Sequence, residues 1–349
     1  RVLFRSDFSK GDLTMRKVLL ATTALVALSV TGAHAQSADL SISGNHQTAY
    51  FTEDHSTNGD SDGMAADGNI VFRATMTADS GLQVTGVTSV GSMTGTEEDS
   101  YVQIVDNFGT LRLGGADALT DGIDGSITAL SVPENFGEGT LAAPVLMSGA
   151  GARLSTHSYF DGDVKASYQS PAVSMGGANA TLAVSAYPDF DGMSTQFVVN
   201  AGVISFGYGT DEYTRTAATT TLVAAGGTEQ AAGNYSSNMI GVGVNFGGVS
   251  VRFADGAAEY ETTAGVLTNK VDRSEYGMVY GGIENASVYW TVSEEKETQS
   301  TAETFTHTHI GVNYTIVPGL ALKVESGTEE LKTAATESQY NAIGLQFSW

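Results

Sequence analysis

The sequence contains no cysteine, which excludes disulfide bonds, thiol catalysis and metal sites built on thiolates. Basic residues are few: 16 Lys and Arg stand against 39 Asp and Glu, so the net charge is −23 and no basic surface is available for nucleic acid. Proline is scarce at 5 residues, and no apolar run reaches the ~18 residues that a transmembrane helix needs. Aromatic residues, at 9%, are too many for a disordered chain. A membrane protein that crosses with alternating strands remains possible, because such strands keep the mean hydropathy near zero.

The N-terminal segment has the three parts of a secretory signal peptide. The basic pair Arg16 and Lys17 precedes a mainly apolar stretch, and Ala33-His34-Ala35 has the small-residue pattern of a cleavage site. The apolar stretch is too short to cross ~30 Å of hydrocarbon as a helix, which disfavours a membrane anchor. The expected division is a non-native upstream extension at 1–14, a signal peptide at 15–35 cleaved between Ala35 and Gln36, and a mature domain at 36–349.

After the signal peptide the dominant pattern is a period of two, which is typical of β-strands. At 240–246, apolar side chains alternate with Gly, Gly and Asn, and 310–316 and 342–349 follow the same rule. The apolar face carries no charge, whereas the other face carries small residues, amides and charges. Alternation also occurs in soluble β-sandwiches, so the environment has to be decided by other features.

Three features favour a lipid-facing barrel. The alternating segments are long, aromatic residues such as Tyr50, Phe51 and Trp349 lie towards their ends, and short connections alternate with longer polar ones. The predicted longer connections are 52–66, 94–99, 213–237, 258–272, 294–303 and 329–337. The prediction is an all-β, transmembrane antiparallel β-barrel of about sixteen strands.

One connection, at about 115–162, shows little alternation and is too long for a loop without a role. The lumen of a barrel of ~16 strands is wide enough to hold a loop that folds inward. From Leu113 to Ala152 the chain has no Lys or Arg, but it has five carboxylates: Asp117, Asp121, Asp124, Glu134 and Glu138. The parity of the strands directs five basic residues into the lumen: Arg73, Arg112, Lys165, Arg252 and Lys323.

Four segments resemble the general diffusion porins of Gram-negative bacteria, in particular the trimeric porins of α-proteobacteria. Residues 101–115 resemble the family's strand–turn–strand signature with its Leu-Arg-Leu-Gly element, and 79–83 resemble the turn between its second and third strands. Residues 164–171 resemble the strand that follows its constriction loop. The closing Leu345-Gln-Phe-Ser-Trp349 resembles its C-terminal assembly signal, which more often ends in Phe.

The resemblance implies a sixteen-stranded homotrimeric barrel in the cell outer membrane, in contact with lipid and lipopolysaccharide, whose third loop narrows the channel. In the family, basic wall residues face acidic residues on that loop; Arg112 falls on the matching wall strand and Arg73 on an earlier inward position. The resemblance also assigns Leu345, Phe347 and Trp349 to the assembly signal.

Enzymatic and metal patterns are weak. Gly59-Asp-Ser-Asp-Gly63 matches the G-x-S-x-G pattern but lacks the helix that a nucleophile elbow requires. Asn58, Asp60 and Asp62 resemble the start of a calcium loop, but Asn69 stands where the bidentate Glu belongs. Two interpretations of the acidic outer loops stay open: they bind Ca²⁺ weakly, or they merely form a charged rim. His307 and His309 share the polar face, where they either line a wet wall or chelate a metal.

The sequence therefore predicts an outer-membrane porin without cofactor or enzymatic activity, which passes ions and small hydrophilic solutes with weak cation selectivity. Three alternatives stay open: a substrate-selective porin of the same fold, a secreted β-rich adhesin or surface protein, and an outer-membrane hydrolase.

Overall fold

The structure is a computed structural model that describes residues 39–56, 60–91, 97–115, 164–187, 192–215, 233–297, 304–332 and 336–349. Every regular element in these ranges is a β-strand. Within them there is no helix that is long and apolar enough to cross a membrane.

The strands, in chain order, are β1 (Asp39–His55), β2 (Ser61–Thr77), β3 (Gln83–Gly91), β4 (Glu97–Asp106), β5 (Gly109–Gly115), β6 (Val164–Gln169), β7 (Val173–Met175), β8 (Ala178–Tyr187), β9 (Gly192–Ala201), β10 (Ile204–Arg215), β11 (Gly233–Phe246), β12 (Val249–Thr262), β13 (Leu267–Ile283), β14 (Ala286–Glu297), β15 (Thr304–Val317), β16 (Leu320–Leu331) and β17 (Thr336–Ser348).

The strands form one closed antiparallel sheet. β1 pairs with β2 on one side and with β17 on the other, so no edge is left open. β6 and β7 both pair with β8 and are separated by a break that contains Pro171, which has no N–H for the ladder. These two short strands share one position, which leaves sixteen positions around the barrel and confirms the predicted fold.

The strands are tilted relative to the barrel axis. Paired residues lead from Asp39, the first residue of β1, through Arg112 and Asp211 to Glu297, the last residue of β14. This row of paired residues starts at one rim of the barrel and ends at the other. The shift along the strands is the stagger that closure of a sheet into a barrel requires.

Inward and outward side chains alternate as the sequence predicts. In β11, Ile240, Val242 and Val244 are exposed on the outer face, whereas Ser237 and Met239, at alternating positions before them, are buried on the inner face. Phe51 departs from the expected outer aromatic positions, because it points inward and packs against Ala49 and Ala342.

One rim carries tight turns, as predicted. They include the Gly247-Gly248 turn between β11 and β12 and the Pro318-Gly319 turn between β15 and β16. Gly319 adopts φ of 85°, a conformation that strains other residues, and the proline before it fixes the preceding φ. The start of β1 and the C-terminal Trp349 lie at this rim, where Gly44 and Trp349 exchange two backbone hydrogen bonds of 3.1 and 3.2 Å.

At the opposite rim, several predicted loops prove to be strand. β1 and β2 reach into 52–66, and the predicted connection 258–272 shrinks to a four-residue turn because β12 ends at Thr262 and β13 begins at Leu267. The prediction was wrong because these strand ends are rich in Thr, Glu and Asp. Such residues suit a strand that continues beyond the hydrocarbon layer, where apolar alternation is no longer required.

The outer face at this rim is charged, beyond the alternating segments whose apolar face the sequence predicts to carry no charge. Lys270 pairs with Glu259 at 3.0 Å, and Lys332 pairs with Glu294 at 2.9 Å. The hydrogen bond that Lys332 donates to Glu294 raises the pKa of the lysine. Exposed ion pairs of this kind require water, which places the end of the lipid-facing band below them.

Candidate functional site

All five basic residues predicted to face the lumen lie on inward positions. Arg112 on β5, Lys165 on β6 and Lys323 on β16 alternate with outward apolar neighbours, and Arg73 on β2 and Arg252 on β12 do the same. Their assignment to a constriction stays a prediction, because the predicted acidic partners lie outside the described residues. Those partners are Asp117, Asp121, Asp124, Glu134 and Glu138, and beyond Gly115 the predicted constriction loop at 115–162 lies outside as well.

Aromatic rings contact two of the inward basic side chains. The guanidinium of Arg112 lies 4.6 Å from the centre of the Tyr101 ring and donates to Gln103 Oε1 from Nε at 3.3 Å and from Nη2 at 3.0 Å. The ammonium of Lys165 lies 5.6 Å from the centre of the Tyr187 ring. These contacts fix two positive charges against the wall, since cation–π attraction competes with full hydration.

The ring of Tyr187 begins a row of inward tyrosines that sequence reasoning missed. Tyr213 and Tyr235 are paired in the ladder and stack with ring centres 4.6 Å apart, and Tyr260 follows at 4.9 Å. Gly192 stands between Tyr187 and Tyr213 in the same row. All four tyrosines are buried. The row stiffens the wall of β8–β12 through aromatic packing.

Arg252 lies flat along the inner wall. It pairs with Gly243, which pairs in turn with Ser205, and Arg252 Nη1 reaches across the glycine to donate to Ser205 Oγ at 2.8 Å. A Cβ on Gly243 would overlap the Arg252 side chain. The inward glycine therefore sets the direction of a charged side chain.

A second polar cluster, also missed from the sequence, lies on β14–β17. Glu325 accepts hydrogen bonds from two tyrosine hydroxyls, Tyr289 at 2.6 Å and Tyr340 at 2.7 Å. All three side chains are buried. We name Tyr289, Glu325 and Tyr340 the tyrosine–glutamate cluster.

The two histidines predicted on the polar face adjoin this cluster. The His307 and His309 rings lie 4.7 Å apart, and His307 Nε2 is 3.2 Å from the Tyr340 hydroxyl and 3.8 Å from Glu329 Oε1. Among the described residues, no group of three or more His, Asp and Glu side chains is placed to hold a metal ion.

β13 and β14 add further inward charge. Arg273 Nη2 lies 2.8 Å from Glu275 Oε2, and Arg273 Nε lies 3.7 Å from Glu295 Oε1. One arginine thus faces two carboxylates. Glu53 on β1 is also inward and buried, and it accepts a hydrogen bond from Ser338 at 2.7 Å.

The charges on the wall are distributed unevenly. Arg112 and Lys165 lie at the fifth and sixth of the sixteen positions, and the strands opposite them are β14 and β15, next to Glu325 on β16. The described wall thus has a basic side at β2–β6 and, at β13–β1, an acidic side on which the five carboxylates of Glu53, Glu275, Glu295, Glu325 and Glu329 outnumber Arg273 and Lys323. Opposed charges across a lumen set a field that acts on ions in it.

Leu345 and Phe347, two residues of the predicted assembly signal, lie on the outer face. Phe347 and the third, Trp349, stack with ring centres 5.4 Å apart, and all three are about half exposed. Their role in assembly stays a prediction. The predicted cleavage site, Ala35 and Gln36, lies outside the described residues.

A closed barrel with an apolar outside and a charged inside belongs to the class of transmembrane channels. The model of the Gram-negative porin family matches residues 21–334. Because this match covers most of the chain, the protein belongs to the Gram-negative porin family. It is a diffusion channel of the outer membrane, as the sequence predicts.

Solved outer-membrane proteins share the fold. A loop-deletion mutant of OmpT from Vibrio cholerae gives a TM-score of 0.66 at 14% identity, with 90% of this chain and 100% of that chain covered. An anion-selective porin from Comamonas acidovorans gives 0.66 at 14% identity, over 89% and 100%. OmpF of Salmonella typhi in complex with daunomycin gives 0.61 at 10% identity, over 88% and 97%. Curated proteins offer no match to the chain.

Proposed function

We propose that the protein is a general diffusion channel with weak cation selectivity. The observation that carries this proposal is the opposition of a basic and an acidic side across the inner wall. A net charge of −23 and the five carboxylates of the predicted constriction loop favour cations. The inward basic residues limit that preference, so selectivity is weak and no single solute is held tightly.

Reversal potentials across a KCl gradient test the role of the loop. Replacement of Asp121 and Asp124 by Asn removes two negative charges and shifts the potential towards anion selectivity at low salt. At 1 M salt the Debye length is about 3 Å, so the shift shrinks. A low-salt potential equal to that of the wild type would show that these carboxylates lie away from the ion path.

A substrate-selective porin is the alternative within the same fold. The two are separated by liposome swelling with a panel of sugars and amino acids of graded size. A general channel gives rates that fall smoothly with solute size. One solute that enters far faster than others of its size would favour a selective porin.

The functional unit is a homotrimer. Large apolar side chains are exposed on the outer face near both chain ends, among them Leu40, Ile42, Leu345 and Phe347. Neighbouring barrels bury these faces against one another. Unheated samples therefore run as trimers in detergent gels, and a monomer that stays uncrosslinked under mild conditions would contradict this state.

The protein passes ions and small hydrophilic solutes without chemical change and has no cofactor. Its charged rim faces the cell exterior and contacts lipopolysaccharide, and the tight turns face the periplasm. Weak Ca²⁺ binding at the rim is an accessory property. Calorimetry with CaCl₂ tests it, with MgCl₂ as the comparison.

A further inference from the structure

We infer that Glu325 is a selectivity-determining residue, and that the tyrosine–glutamate cluster gives the pore a negative side on the barrel wall itself. The inference rests on the proposed function, since it concerns what sets ion preference in that channel. It adds a fixed wall charge to the predicted loop carboxylates.

The register of the sheet builds the cluster. Tyr289, Gly311 and Glu325 are directly paired on β14, β15 and β16, so the tyrosine ring crosses the glycine to reach the carboxylate. Tyr340 pairs with Gly327, two residues beyond Glu325 on β16. A Cβ on Gly311 would overlap the Tyr289 ring, and a Cβ on Gly327 would overlap the Tyr340 ring.

Two rings laid over two glycines thus meet at one carboxylate. Both Glu325 oxygens receive a hydroxyl donor, Oε2 from Tyr289 and Oε1 from Tyr340. A buried carboxylate keeps its charge only where donors replace the water it has lost. The side chain is 2% exposed. The cluster therefore holds a negative charge at a fixed place in the wall, where it does not move with a loop.

The position of that charge gives it an effect on ions. Arg112 and Lys165 lie across the lumen, on strands opposite β14 and β15. For an ion that passes within about 8 Å of it, a wall charge screened by about 0.1 M salt changes the ratio of cation to anion permeability about two-fold.

The main experiment compares Glu325→Gln, Glu325→Asp and Glu330→Gln in planar bilayers, with reversal potentials across a KCl gradient at low salt. Glu330 is the matched control, since it is an exposed, outward residue of the same strand. We expect Glu325→Gln to lower the cation-to-anion permeability ratio about two-fold. Glu325→Asp and Glu330→Gln should stay near the wild type. Equal ratios for Glu325→Gln and Glu330→Gln would overturn the inference.

A second experiment covers the case in which Glu325→Gln does not reach the membrane. The variant Tyr289→Phe keeps the carboxylate and the contact between Tyr340 and His307 but removes the donor to Oε2, so the charge of Glu325 should be lost at a higher pH than in the wild type. Besides Tyr289, the charged and titratable groups that face Glu325 include Lys323 and Glu329 on its own strand, His307 and His309 on β15, and Tyr340 on β17. Because these are unchanged in the variant, a pH profile of selectivity identical to the wild type would overturn the inference.

The two proposals fail differently. If the wild type forms no conducting channel, the diffusion channel itself is wrong. If conductance is normal but the cation-to-anion permeability ratio does not change when Glu325 is replaced, the protein is a diffusion channel and only the inference about the wall charge is wrong.

Discussion

Arg112 offers the most direct perturbation of the basic side of the pore. The change is Arg112→Gln, which removes one positive charge and keeps a polar side chain of similar length. The arginine is held by the Tyr101 ring and by Gln103, so its charge stays against the wall. The variant should remain folded, because loss of one cation–π contact costs about 1 kcal/mol.

The size of the effect follows from the width of the barrel. A sixteen-strand barrel has a radius of about 15 Å, and an ion that passes along the basic side of the lumen comes within about 8 Å of a guanidinium held against the wall. Two unit charges at that separation in water interact by about 0.5 kcal/mol. Screening at ~0.1 M salt halves this, and the sign is opposite for K⁺ and Cl⁻. Arg112→Gln should therefore raise the ratio of cation to anion permeability about two-fold.

Reversal potentials at low salt measure this ratio, and Lys296→Gln is the control. Lys296 is an exposed, outward residue of β14, so its neutralisation should leave the ratio unchanged. The shift for Arg112→Gln should fade at 1 M salt, where the Debye length is about 3 Å. If Arg112→Gln and Lys296→Gln behave alike at low salt, Arg112 does not act on permeating ions and its role is structural.

Two further outcomes are expected. Deletion of Trp349 removes the ring that lies beside Gly44 and should sharply reduce heat-modifiable protein in the outer membrane; wild-type levels would refute the assembly role. Asp62→Cys, at an exposed rim position, should react with an impermeant maleimide in intact cells; reaction only after permeabilisation would invert the topology.

The barrel could be predicted from the sequence because its physical cause is local. Each strand must alternate between lipid and lumen, so the period of two reports both the element and its faces. The inward directions of Arg112 and Lys323 followed from parity alone. The strand ends at 258–272 were not predicted as strand, because water on both faces removes the need for alternation.

The tyrosine–glutamate cluster could not be predicted in the same way. Tyr289 and Glu325 are far apart in sequence, and only the register of β14–β16 places them in one row. In the sequence, Gly311 is recognisable only as a small residue on the polar face of its strand. Its role depends on which ring crosses it, and that is a property of the neighbouring strand. The row of inward tyrosines on β8–β12 was not predicted either, because it also depends on the register of neighbouring strands.

Single-channel recording of the purified protein in planar bilayers tests the account most directly. A water-filled diffusion channel should insert in discrete steps, with a conductance that rises in proportion to that of the bulk KCl solution. It should also pass small neutral sugars of different structure. Conductance that saturates at moderate salt, or a current that only one solute blocks with high affinity, would contradict a general diffusion channel.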